Sequence, residues 1–253
     1  MQIGAQFYTV REFATNLTDF EESLKKVADI GYKIVQISGT CAYEPAWLAE
    51  KLKETGLKCV ITHTNATRIA EETDAVIADH KQFDCKYIGI GAFPWGLSKM
   101  EDYTRFVTEF KKPAKKLAEN GCLLMFHNHH FEFGKSDDGR VYLERMKEDF
   151  SPEELGFTLD TYWVQAGGGD PAWWLRHLAG RVPCVHLKDM MYLDGGAKMA
   201  AVYEGNMNFD AILSACEYAK AQYLLVEQDD CNGEDPFECL KKSYQNLVAH
   251  GLK

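Results

Sequence analysis

The chain has 253 residues, 46% of them hydrophobic, with a formal net charge of −10 and a pI near 5.3. That length builds one large α/β barrel or two smaller domains, and no linker or shift in composition divides it, so a single domain over 1–253 is expected. The acidic balance argues against nucleic acid, no run reaches membrane-spanning length, and Met1-Gln2-Ile3-Gly4-Ala5 has no export signature, so a cytoplasmic protein acting on a small molecule is expected.

Taken in order, strand-like and helix-like segments alternate. Residues 3–9 read as a strand, and Asn16-Leu17-Thr18-Asp19-Phe20 opens a helix whose Leu24, Val27, Ala28 and Ile30 keep a helical period until Gly31. A strand over 32–38 and a helix from Glu44-Pro45 to Gly56 follow. The pattern then gives a strand over 57–64, a helix over 67–83, a strand over 86–92, and a helix over 98–120 with a kink or restart at Pro113. The fifth strand spans 122–129 and the next helix 139–150. Strand six spans 155–164, Asp170-Pro171 caps a helix to Leu178, and strand seven spans 182–190. A helix over 209–222, a strand over 223–229 and a helix from Asp235-Pro236 to His250 complete the chain.

Eight such alternations in about 250 residues predict a closed (β/α)8 TIM barrel, with an open doubly wound sheet disfavoured by the lack of a G-x-G-x-x-G or P-loop after the first strand. Eight cysteines, several in or beside expected strands and none in a CxxC motif, predict free thiols.

A barrel of this kind carries its site where the strands end, so those ends belong together. They are Gln6 and Tyr8, Gln36 and Ser38, His63, His127 and His129, Asp160, His186 and Lys188, and Glu227 and Asp229. A spacing of two within each pair turns both side chains to one side. The fourth strand ends without a polar group, and its small residues are expected to leave room for a ligand. Asp160, His186 and Glu227 form a nitrogen and oxygen donor set suited to one Mn²⁺, Mg²⁺, Co²⁺ or Zn²⁺, which would also offset the cost of clustering carboxylates.

The segments 4–11 (GAQFYTVR), 126–133 (FHNHHFEF), 159–163 (LDTYW), 185–189 (VHLKD) and 226–228 (VEQ) together resemble the sugar phosphate isomerase/epimerase family, the xylose-isomerase-like barrels. The resemblance covers essentially the whole chain. It implies one divalent ion held at Asp160, His186 and Glu227. The fourth ligand is either His127, where many members place a glutamate, or Glu132 folding back from the loop. Gln36 also stands where relatives often carry a glutamate.

The activity implied is a metal-dependent isomerase or epimerase acting on a carbohydrate by proton abstraction next to a carbonyl, through a metal-stabilised enediolate. Glu227 would be ligand and base, with His129 and Glu132 as acid/base partners. Lys188 and His63 would neutralise charge or bind hydroxyls, Gln6 would orient the substrate, and Trp163 would be a sugar-stacking wall. The rival from the same fold is a lyase or dehydratase acting on a 3-keto sugar, 3-keto glycoside or inosose. A nuclease like the related apurinic-site endonucleases is opposed by the acidic balance, and a sugar-binding sensor without catalysis is the non-enzyme reading. A homo-oligomer is left open. The bland alternatives are a core role for His63, an ion-pair network of Asp160, His186 and Glu227, and a ligand-orienting role for His129, with His130 turned away from the site.

Overall fold

The structure is a computed structural model that describes residues 1–252. Among these, the strands are β1 (Gln2–Gln6), β2 (Ile34–Ile37), β3 (Lys58–His63), β4 (Tyr87–Ile90), β5 (Leu123–His127), β6 (Leu155–Asp160), β7 (Cys184–Leu187), β8 (Asp189–Leu193), β9 (Gly196–Ala200) and β10 (Tyr223–Val226). All but β8 and β9 pair in parallel and close into a barrel in the order β1-β10-β7-β6-β5-β4-β3-β2. The crossovers are carried by α1 (Leu17–Ile30), α2 (Pro45–Thr55), α3 (Ala66–Glu71), α4 (Thr73–Gln82), α5 (Met100–Glu119), α6 (Tyr142–Asp149), α7 (Thr161–Ala166), α8 (Pro171–His177) and α9 (Phe209–Ala219), and α10 (Pro236–Ala249) follows the last strand.

Two apolar layers build this fold. The outer one packs helices against the barrel wall through Leu24, Phe106, Phe126, Leu159 and Leu224 among others. The inner one is a small floor of Ile34, Val60, Ile61, Tyr87, Met125, Cys184 and Leu225. Side chains on a strand repeat every two residues, so the position two beyond each inward apolar residue also faces the interior. From Ile34, Ile61, Met125, Cys184 and Leu225 those positions are Gln36, His63, His127, His186 and Glu227. Burying the floor therefore forces the polar groups into the mouth.

Several expected boundaries move, each for a local reason. The strand over 3–9 stops at Gln6, whose side-chain oxygen accepts the Tyr8 N–H at 2.9 Å and turns the chain into the 3-10 segment Phe7–Phe13. The helix over 67–83 is two helices, broken at Glu72 with φ −121° and ψ 38°. Pro113 lies within one uninterrupted helix, α5. The strand over 155–164 stops at Asp160, whose carboxylate caps α7. The strand over 182–190 stops at Leu187, and β8 and β9 form an antiparallel hairpin that the strand and helix periods did not reveal. All eight cysteines are free thiols. Among the described residues no helix is long and apolar enough to cross a membrane.

Candidate active site

Four consecutive barrel strands, β5, β6, β7 and β10, bring His127, Asp160, His186 and Glu227 together, all buried, with one donor atom from each within 4.8 Å of the others. Register fixes part of this: Asp160 stands directly opposite His186. The imidazoles are anchored from outside. A carbonyl oxygen only accepts, so His127 Nδ1–H donates to the Gly91 carbonyl at 2.8 Å, and His186 Nε2–H donates to Gln36 Oε1 at 2.7 Å. The second nitrogens, His127 Nε2 and His186 Nδ1, are left facing the carboxylates.

Each carboxylate is likewise half committed. Asp160 Oδ1 accepts the Trp163 N–H at 2.9 Å, while Oδ2 lies 3.2 Å from His127 Nε2 and 3.7 Å from His186 Nδ1. Glu227 Oε1 accepts from Gln6 Nε2 at 3.0 Å, while Oε2 lies 2.9 Å from His186 Nδ1 without an aligned hydrogen bond at either atom. Two imidazoles and two carboxylates converging with one donor atom each, His186 Nδ1 and Glu227 Oε2 buried without a hydrogen-bond partner, and outer hydrogen bonds fixing the rings, fit a divalent metal ion.

Lys188 enters the same space. Its Nζ lies 2.9 Å from Asp160 Oδ2, 2.8 Å from Glu227 Oε2 and 3.0 Å from Asp229 Oδ2, and the side chain is 1% exposed. Burial alone would raise the carboxyl groups of Asp160 and Glu227, but the adjacent ammonium holds both well below the ordinary carboxylate range. Burial pulls His186 down, yet Glu227 and Asp160 push it up to about 9. Burial, reinforced by neighbouring imidazoles, lowers His129 to about 3 and His63 well below its usual value, so both rings are neutral near pH 7.

A cavity of about 490 Å³ opens above the cluster, lined by His63, His127, His129, Trp163, Lys188, Glu227 and Asp229, with Tyr8 and Arg11 also on its wall. His63 Nδ1 lies 3.1 Å from Ser38 Oγ and its Nε2 has no partner. The His129 ring stacks on Phe131 at 5.2 Å and 9°, leaving Nδ1 unpaired. The Lys188 ammonium sits 5.5 Å from the centre of the Trp163 ring. Arg11, whose guanidinium lies over Tyr8 and donates to the carbonyls of Tyr8 and Asp229, was not singled out from sequence, although it is the one basic residue of the 4–11 motif.

Two expectations are corrected by this geometry. Gln6 is fully buried with both ends of its amide engaged, so it orients Glu227 and does not reach the cavity. Glu132 is also fully buried. Its Oε2 accepts the His129 N–H at 2.8 Å, outside both the cavity wall and the four-donor cluster, so it supplies neither the fourth donor nor a group in the cavity. Of the fourth-strand glycines, Gly91 lines the cavity, where a Cβ would lie 2.9 Å from His63 Nδ1, while Gly89 makes room for protein, since a Cβ there would lie 2.6 Å from the Thr62 carbonyl. His130 is exposed.

An eight-stranded parallel barrel with such a donor cluster at its carboxyl mouth belongs to a recognisable class of enzymes. The model of the xylose isomerase-like TIM barrel family matches residues 24–241, and the chain is a member of that family. It is 23% identical over 195 residues to the inosose dehydratase of Geobacillus kaustophilus, covering 68% of this chain and spanning 62% of that protein's length. Its fold is similar to that of a sugar phosphate isomerase/epimerase from Parabacteroides distasonis, with a TM-score of 0.83 and 21% identity over 99% of this chain and 94% of the other. It is also similar to an L-ribulose 3-epimerase, with a TM-score of 0.75 and 16% identity over 100% of this chain and 95% of the other.

Proposed function

We propose that the protein is a divalent-metal-dependent isomerase or epimerase of a sugar or sugar derivative, working by proton abstraction next to a carbonyl. The observation that carries this reading is the buried His127, Asp160, His186 and Glu227 cluster opening on a polar cavity within the usual size range of small-molecule sites. These four side chains would hold one Mn²⁺, Mg²⁺, Co²⁺ or Zn²⁺, which when bound would polarise a carbonyl and its neighbouring hydroxyl and so acidify the adjacent C–H. Glu227, kept as a carboxylate and oriented by Gln6, takes that proton and returns it to the neighbouring carbon. Neutral His129 and His63 hydrogen-bond hydroxyls, Lys188 faces developing negative charge, and Trp163 offers a flat wall to a sugar ring. Family membership and the epimerase neighbours support the class.

Elimination is the second reading, favoured by the fifth-strand imidazole. With His127 in place of a carboxylate and Asp160 Oδ1 engaged in capping α7, Glu227 is the carboxylate of the cluster that lines the cavity. A single base suits a lyase, because the second proton goes to a leaving hydroxyl on another atom. The inosose dehydratase relative supports this alternative. Incubating candidate sugars and keto sugars with the metal-loaded enzyme in D₂O and following them by NMR separates the two. An isomer carrying deuterium at the carbon that receives the proton, or an epimer carrying it at the abstracted carbon, supports the first reading, and an unsaturated product the second. Under either, Glu227→Gln should lower turnover by about 100-fold or more, and unchanged turnover refutes its role as base.

A further inference from the structure

We infer that Lys188 is the resident counter-ion of the metal site: its ammonium sits between Asp160 and Glu227 until a divalent cation enters and drives it onto Asp229. The inference rests on the metal-site reading above. A fully buried lysine is rare unless its charge is met, and here it is met by the carboxylate oxygens that face the cluster, Asp160 Oδ2 at 2.9 Å and Glu227 Oε2 at 2.8 Å. A divalent ion and an ammonium drawing on the same two oxygens repel one another strongly in a buried setting, so each weakens the hold of the other.

The structure also supplies the place to which the ammonium retreats. The aligned hydrogen bond of Nζ runs to Asp229 Oδ2 at 3.0 Å, while Asp229 Oδ1 is buried with no partner and is free to accept a second N–H. The Trp163 face, 5.5 Å away, can follow the cation as it moves. The backbone does not need to shift, because Lys188 N–H donates to Thr161 Oγ1 at 3.0 Å and the Thr161 hydroxyl donates back to the Lys188 carbonyl at 2.8 Å. Lys188 therefore acts as a positioning residue that keeps the two carboxylates together before the ion arrives.

Calorimetric titration of metal-stripped protein with Zn²⁺ tests this in the wild type, Lys188→Gln, Asp229→Asn and the double variant. Lys188→Gln should bind Zn²⁺ about tenfold tighter or more, and Asp229→Asn should weaken binding about tenfold in the wild type but less than about threefold in the Lys188→Gln background. Tryptophan emission is the independent readout: Zn²⁺ should change it in the wild type, and the change should vanish in Trp163→Phe and in Lys188→Gln. If the wild type binds one ion but Lys188→Gln binds it no tighter, the counter-ion role is overturned and the metal site stands. If the wild type takes up no Zn²⁺, both fall. Should Lys188→Gln fail to fold, an unchanged Trp163 contribution to wild-type emission on Zn²⁺ binding overturns the inference by itself.

Discussion

Glu132 accepts the His129 N–H through Oε2, has no partner at Oε1, and is pushed by burial up to about 8. The sign of the resulting pH dependence follows from comparing the two states. Below about 4.5 the carboxyl is protonated both folded and unfolded, and its contribution is fully present. Between 4.5 and 8 the unfolded chain ionises while the native one keeps its proton, so stability is lost as pH rises, by up to about 1.4 kcal/mol per unit. Glu132→Gln keeps an acceptor for the His129 N–H and removes the ionisation. Urea unfolding at pH 5.5 and 8.5 should show the variant gaining on the wild type at the higher pH, and equal gaps at both would disprove a buried neutral Glu132. Asp160, His186 and Glu227 were legible in the sequence because each ends an apolar strand, where register leaves them one direction to face. Glu132 and Gln6 were not, since the cavity reach of the first depends on loop conformation and that of the second on whether its amide is already engaged.

The β8–β9 hairpin projects from the barrel mouth directly after Lys188 and is held at its base by one buried carboxylate. Asp189 accepts backbone N–H groups from Met190 at 2.7 Å, Tyr203 at 3.1 Å, Gly205 at 2.9 Å and Met207 at 3.3 Å. A side chain at Gly205 would collide with that carboxylate, so the position is confined to glycine. Asp189→Ala strands several amides at once and should destabilise the protein by about 3 kcal/mol or more, a fall of roughly 5–10 °C in Tm measurable by calorimetry. A change below about 1 kcal/mol would mean that solvent replaces the carboxylate. The hairpin had a sequence signal in Asp194-Gly195, whose φ values of 52° and 83° are those of a tight two-residue turn. Periodicity missed it because 182–190 keeps a strand-like alternation through Leu187 into Asp189, with one residue between the two strands. The capped helices, by contrast, were legible: Asn16, Asp170 and Asp235 each accept from an N–H of the first turn, and Gly31 and Gly56 end α1 and α2.

At the scale of the whole molecule, the fold was readable because its rule is repetitive: eight apolar strands must each be covered by a helix, and a closed parallel barrel covers all of them without leaving an edge strand. The four donors come from strands that close in sequence only through that barrel, so an ion bound there links β5, β6, β7 and β10. Binding to the native state alone stabilises by mass action, about 2.7 kcal/mol at 100 times Kd, which for a chain of this size is roughly 5–10 °C in Tm. Adding Mn²⁺ should produce that shift in the wild type and none in Asp160→Ala, and a shift equal in both proteins would place the ion elsewhere.

The twofold grip of Thr161 on the Lys188 backbone, followed at once by the Asp189 clamp, has a kinetic meaning. With the main chain fixed on both sides, the ammonium would move by rotating its own side-chain torsions and not by the opening of a hinged lid, a motion of microseconds or more. An ion bound at the cluster would then enter through the mouth without the barrel opening.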